Sequence, residues 1–275
     1  MLDILRGFPR SPEPGTPGDP GVFEPGSVAW RVNGERAMLV GGGRALLLQL
    51  AHPAVAAAVA AHSDFPAEPY TRLWRTLEAM LAVSFGDTAQ SRAAAERVNA
   101  VHRTVSGPSY DATDPDLLLW VHATLVDSAL VVYERFVGPL SVRDRASYFS
   151  DMRRQGQLFG IPEQAMPKDL AAFHRYVEQT IDRLEVTDDA RRIASEIVSP
   201  PVPLALVPAA RAFGLVTVGL LPDRVREGYG YRWGPLREAG LGATRLSVRA
   251  IVPMLPRVLR RWPHARAAEA RARSH

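Results

Sequence analysis

From Ser27 onward the apolar residues recur with helical spacing, Ala, Leu, Arg and Glu dominate, and alternating β-branched runs are scarce. Helices are predicted near 28–50, 53–62, 69–85, 88–106, 115–137, 142–159, 168–186, 188–199, 205–220 and 244–261, with Gly and Pro marking the loops. Two starts carry their own chemistry. Thr113-Asp114-Pro115-Asp116 offers a cap, a proline suited to the first helical turn and an early acid, and Gly138-Pro139 closes the same segment. Ser141-Val-Arg-Asp144 resembles a capping box. The expectation is an all-α single domain of about ten helices, with buried central helices around a cofactor pocket.

The ends depart from this pattern. Residues 7–26 hold six prolines and five glycines, so residues 1–26 read as a flexible arm, 27–243 as the helical domain, and 244–275 as a basic C-terminal helix and tail. The run Ala45 to Ala61 is apolar but broken by Gln49, His52 and Pro53, and reads as a buried helix pair rather than a membrane span. With no secretory or transit signal in view, the expected location is cytoplasmic, with membrane association through 244–261 left open.

Composition narrows the chemistry. The absence of cysteine removes disulfides, thiolate metal sites, iron–sulfur clusters and a cysteine-ligated haem. The net charge of +4 divides into +7 for residues 244–275 and −3 for the remainder, a poor match for a nucleic-acid domain whose basic face lies within the fold. Gly41-Gly-Gly-Arg44 lacks the Lys-Ser/Thr of a phosphate loop, and Gly-x-Ser-x-Gly, His-Glu-x-x-His and Glu-x-x-His are all missing.

Histidines in apolar helical settings remain: His52, His62, His102, His122 and His174. His122 is the most unusual, inside LLLWVHATLVDSALVVY, on a stripe with Leu118, Leu125, Ala129 and Val132. A buried imidazole needs a partner: a backbone carbonyl, an acid on another helix, or a metal. A second cluster is Arg72, Arg75 and Thr76, spaced i, i+3 and i+4 so that two cations and a hydroxyl share one helix face. It suits propionates, a bound anion or an oxygen species, or else ion pairs with Asp64, Glu68 or Glu78.

In order along the chain, RALLLQLAHPAVAAAVAAHSDF (44–65), RLWRT (72–76), VSFG (83–86), VHRTVSG (101–107), Tyr110, Asp114-Pro115, WVHATLVDSALVVYERFVGPLS (120–141) and GLLPDRVREGYGYRW (219–233) resemble the MpaB/rubber oxygenase family over roughly residues 27–235. The resemblance implies a mostly helical fold that binds haem b through His122 as the axial ligand. It also implies that Arg72, Arg75 and Thr76 stand on the distal side, as the counterpart of an Arg-x-x-Lys-Thr group with arginine for lysine. Leu119 and Val126 occupy places where the rubber-cleaving members carry arginines, and the chain is shorter without an export signal, so cleavage of extracellular polyisoprene is not expected. The implied function is a haem-dependent oxygenase that takes dioxygen and a hydrophobic small molecule. The alternatives are a non-enzymatic helical protein that binds a hydrophobic ligand or a membrane surface, and a metal site built on His52, His62 or His102.

Overall fold

A computed structural model describes residues 12–62 and 69–274, with 69–75 described as backbone only. Among the described residues there are fourteen α-helices and one two-residue hairpin, so the fold is all-α. Their order is α1 (Val28–Asn33), α2 (Gly42–Leu50), α3 (Pro53–His62), α4 (Pro69–Phe85), α5 (Thr88–His102), the hairpin β1 (Ser106–Gly107) and β2 (Tyr110–Asp111), then α6 (Pro115–Val132) and α7 (Val142–Leu158). There follow α8 (Leu170–Ile181), α9 (Asp188–Val198), α10 (Val207–Gly219), α11 (Asp223–Gly228), α12 (Pro235–Ile251), α13 (Arg257–Arg260) and α14 (Pro263–Arg271).

The expected caps form. The Asp114 carboxylate accepts from the Asp116 amide ahead of α6, with Pro115 in the first turn, and Ser141 and Asp144 cap one another's backbone at α7. The first expected helix, 28–50, is three pieces, because α1 stops at Gly34 and a 3₁₀ turn (Arg36–Gly41) precedes α2. Gly34 is where the C-terminal segment crosses: its carbonyl accepts from the Trp262 amide, and a Cβ there would lie 2.5 Å from Arg261 Nη2. The helix expected to reach 106 ends at His102, giving way to the hairpin.

The apolar run 45–61 is a bent pair, as expected, with 104° between its halves. Pro53 has no N–H, and the chain turns before it: the His52 amide bonds to the Gln49 carbonyl, which leaves the Leu48 carbonyl without its helical partner. Trp120 Nε1 donates to that oxygen at 3.2 Å, and Tyr229 donates to the neighbouring Leu47 carbonyl at 2.7 Å. Two aromatic side chains thus satisfy the end of a buried helix.

Helix α6 organises the core. Its Ala123, Val126 and Leu130 join Trp30, Phe85 and Phe173 in one apolar cluster, while Trp120 joins Leu47, Leu48 and Ile193 in another. Each Val, Leu, Ile or Phe side chain among these contributes roughly 1.5–3 kcal/mol when fully buried. The segment Pro115–Val137 has the length and hydropathy of a membrane span, yet 56% of its apolar window is buried against the rest of the fold. It ends in a π-type turn, Tyr133–Val137, closed by the Gly138 amide on the Tyr133 carbonyl. A buried cation fixes it laterally: Arg44 donates through Nε to the Leu220 carbonyl and through Nη1 to Ser128, both at 2.8 Å, and pairs through Nη2 with Asp127 at 2.7 Å.

The C-terminal end differs from expectation over the described residues. Residues 12–26, read from the sequence as part of a flexible arm, make contacts with the body. They run extended along the body, with Phe23 fully buried, the Thr16 amide on Asp87, and Asp19 accepting from the amide and hydroxyl of Thr88. The C-terminal segment is not an appendage with one helix over 244–261. Pro253 and Pro256 break it, α12 begins earlier at Pro235, and α14 folds back to bury Trp262, Ala265 and Ala268. Its arginines are partly structural: Arg260 binds both oxygens of buried Glu35, and Arg261 pairs with Glu269 and with the Trp30 carbonyl.

Candidate functional site

A cavity of about 1360 Å³ lies between α3, α4, α5 and α6. It exceeds the roughly 300–1,000 Å³ of an ordinary small-molecule pocket. Its walls are chiefly apolar, including Val55 and Val59 of α3, Ala79 and Phe85 of α4, Val98 of α5, and Leu118, Val121 and Leu125 of α6. Polar and charged groups also line it, among them His122 and Thr76.

His122 occupies the middle of α6 and is only 7% exposed. Its Nε2 lies 2.8 Å from the Met152 carbonyl of α7, and because a carbonyl only accepts, Nε2 carries the proton and donates it. Nδ1 is then a bare lone pair, buried and without a hydrogen-bond partner. The ring has no space to retreat toward α7, since a Cβ on Gly156 would lie 3.2 Å from both Nε2 and Cδ2. Burial holds the imidazole neutral, lowering its pKa to about 4 against a smaller opposing effect of the Met152 hydrogen bond.

This shift sets a pH dependence. The unfolded imidazole takes up a proton near pH 6.5, whereas the folded one resists until about 4, so the unfolded state binds more protons between these values and stability falls as pH drops through them. A shift of this size corresponds to a loss of about 3 kcal/mol. Urea denaturation at pH 7.5 and 4.5 is expected to show wild type losing about that much more than His122→Gln, which keeps an N–H donor but does not titrate. Equal losses would contradict the burial of a neutral ring.

Thr76, one of the three RLWRT residues, is exposed and lines the same cavity from α4. The helical backbone of α4 keeps Arg72, Arg75 and Thr76 at the spacing that shares a face. The side chains of Arg72 and Arg75 lie outside the described residues. The other histidines separate. His62 and His102 line the cavity, His62 with Nε2 3.3 Å from the Ser106 carbonyl and its ring edge-on to Tyr110. His52 is half-buried away from the lining, and His174 is exposed. Among the described residues no three His, Asp or Glu side chains form a group that could hold a metal ion, so the alternative of a site built on His52, His62 or His102 finds no support.

Leu119 and Val126 are buried in apolar packing, Leu119 against Ile161 and Met166 and Val126 against the central core. Neither place has room for a charged anchor. Several cavity groups were not anticipated from the sequence, Gln49, His264 and Arg271 among them. Gln49 lines the wall and donates to Thr124 at 3.0 Å. His264, 7% exposed, and Arg271 arrive from α14. Burial lowers the pKa of His264 and leaves its Nδ1 without a hydrogen-bond partner. The one signal for them was Pro263, a helix-start residue at the head of α14.

Residues 30–261 match the family described as ER-bound oxygenase mpaB/B'/Rubber oxygenase, catalytic domain. The chain belongs to this family. The mpaB/rubber oxygenase match takes in every helix from α2 to α13, so both His122 and Thr76 fall within the family's catalytic domain. Two curated relatives, an uncharacterized protein of Mycobacterium bovis and an uncharacterized protein of Mycobacterium tuberculosis, are each 32% identical over 180 residues, covering 62% of this chain and 69% of theirs. No solved structure matches the chain. Membership in the mpaB/rubber oxygenase family supports oxygenase chemistry in general terms, with dioxygen and a small molecule as reactants.

Proposed function

We propose that the protein is a haem-b-dependent oxygenase acting on an apolar small molecule, with His122 as the iron ligand and with Arg72, Arg75 and Thr76 as the polar group contributed by α4. The observation that carries this reading is the state of His122: neutral, fixed by one carbonyl, with its second nitrogen unpartnered, in the lining of a cavity of about 1360 Å³. An imidazole that ligates a metal almost always donates its other N–H to a carbonyl or carboxylate, and the Met152 carbonyl meets that requirement.

When bound, a histidine-held haem supplies iron-centred redox chemistry with dioxygen. The residues of this chain have separate tasks. The Met152 carbonyl orients the His122 ring and raises its basicity, while burial keeps the lone pair free of a proton at neutral pH. The apolar walls from α3, α5 and α6 receive the hydrocarbon of the substrate and exclude water, which strengthens every polar interaction inside. Thr76 offers a hydroxyl to a polar atom within the cavity. By the family resemblance, Arg72 and Arg75 add fixed positive charge where negative charge develops on oxygen.

The test is the absorption spectrum of the protein titrated with haem b. Saturable uptake at one haem per chain, with the Soret band of a histidine-ligated haem, is the expected outcome. Failure to take up haem would overturn the proposal.

A further inference from the structure

Six of the ten large hydrophobic side chains left exposed among the described residues fall within residues 236–259: Leu236, Leu246, Ile251, Met254, Val258 and Leu259. Scattered exposed apolar side chains are ordinary, but a concentration of this kind marks a surface that is covered by something. Two are almost bare, Leu236 at 87% and Met254 at 82% exposure.

The charge of the same segment identifies the cover. From Ala239 to Ala268 there is no Asp or Glu, and Arg245 and Arg249 are exposed without an ion pair among the described residues. On α12, Leu241 is buried and Val248 half-buried. At 3.6 residues per turn Leu246 sits opposite Val248, with Arg249 about 60° and Arg245 about 100° to one side of it. After α12 the 3₁₀ turn Val252–Met254 and the short α13 continue the exposed apolar series through Met254, Val258 and Leu259.

A second copy of the chain fits this surface poorly. A two-fold dimer apposes the same patch from each partner, and with no Asp or Glu between Ala239 and Ala268 the partner's copy of that stretch offers Arg245 and Arg249 no counter-charge. A bilayer with anionic headgroups supplies both partners that the surface lacks, hydrocarbon for the exposed apolar groups and phosphate for Arg245 and Arg249. We propose that residues 236–259 are a peripheral docking surface for an anionic phospholipid bilayer. The surface is the Leu246 side of α12 followed by a turn, since Pro253 and Pro256 exclude one continuous interfacial helix. It is independent of what the cavity binds.

The full-length protein is floated with vesicles of phosphatidylcholine alone and with vesicles containing phosphatidylglycerol. Binding is expected to the anionic vesicles, weakening at high salt. The double variant Arg245→Gln, Arg249→Gln is expected to lower that partition by about tenfold or more, since each basic residue near the surface contributes about a factor of five. The double variant Met254→Ser, Leu259→Ser is expected to lower it by about tenfold with an unchanged far-ultraviolet spectrum, because binding scales with the apolar area inserted. Absence of flotation, wild-type flotation by either variant, or a concentration-dependent dimer that Met254→Ser, Leu259→Ser dissociates would overturn the proposal.

Discussion

His122→Ala protein titrated with haem b is expected to lose the Soret band of the wild type and to bind haem more than about 100-fold more weakly, since even the loss of an outer-shell partner costs 10–100-fold in metal affinity. The substitution removes the buried ring whose Nδ1 has no partner, and leaves the Met152 carbonyl to its helical bond alone. Loss of packing at so central a position also lowers stability, so spectrum and fold must be read separately. Circular dichroism reports the fold. Added imidazole reports the ligand, because the space vacated by the side chain lies beside the cavity and a free ring restores the band there. A variant that stays folded and keeps an unchanged Soret band would show that another residue holds the iron.

Arg44→Met is the second large effect. The guanidinium is 4% exposed and serves three acceptors at once: the Leu220 carbonyl, Ser128 and Asp127. Methionine fills much of the stem volume but leaves the Asp127 carboxylate, 16% exposed, without its counter-charge. Breaking a buried pair from one side costs about 3–5 kcal/mol. Urea denaturation at pH 7 is expected to show that loss. Adding Asp127→Leu to Arg44→Met is expected to recover part of it, because the stranded charge is then gone. A loss below about 1 kcal/mol would place this pair with ordinary surface ion pairs. Asp127 stands five residues after His122, so the pair also fixes the helix that presents the candidate ligand.

Much of this was legible in the sequence, and the reasons differ by residue. His122 stood out because a polar ring within an unbroken apolar helix needs a partner wherever that helix is buried. The starts of α6 and α7 were legible because caps depend on neighbours within four residues. The partner of His122 was not legible: a backbone carbonyl has no sequence identity, and Met152 acts through its main chain. The role of the C-terminal segment was hidden by its arginines. Trp262, Ala265 and Ala268 recur at helical spacing, but the charges around them read as solvated, although Arg261 and Arg271 are themselves only 9% exposed. Their partners are Glu35, Glu269 and main-chain carbonyls, contacts made across more than two hundred residues in some cases.

Arg271 connects two things that have been described apart. It lines the cavity, and it also clasps the N-terminal segment, with Nε on the Asp19 carbonyl and its own carbonyl on the Gly18 amide. Pro12 and Glu13 of that segment line the cavity as well. One guanidinium thus forms part of the cavity wall and holds the N-terminal segment against it.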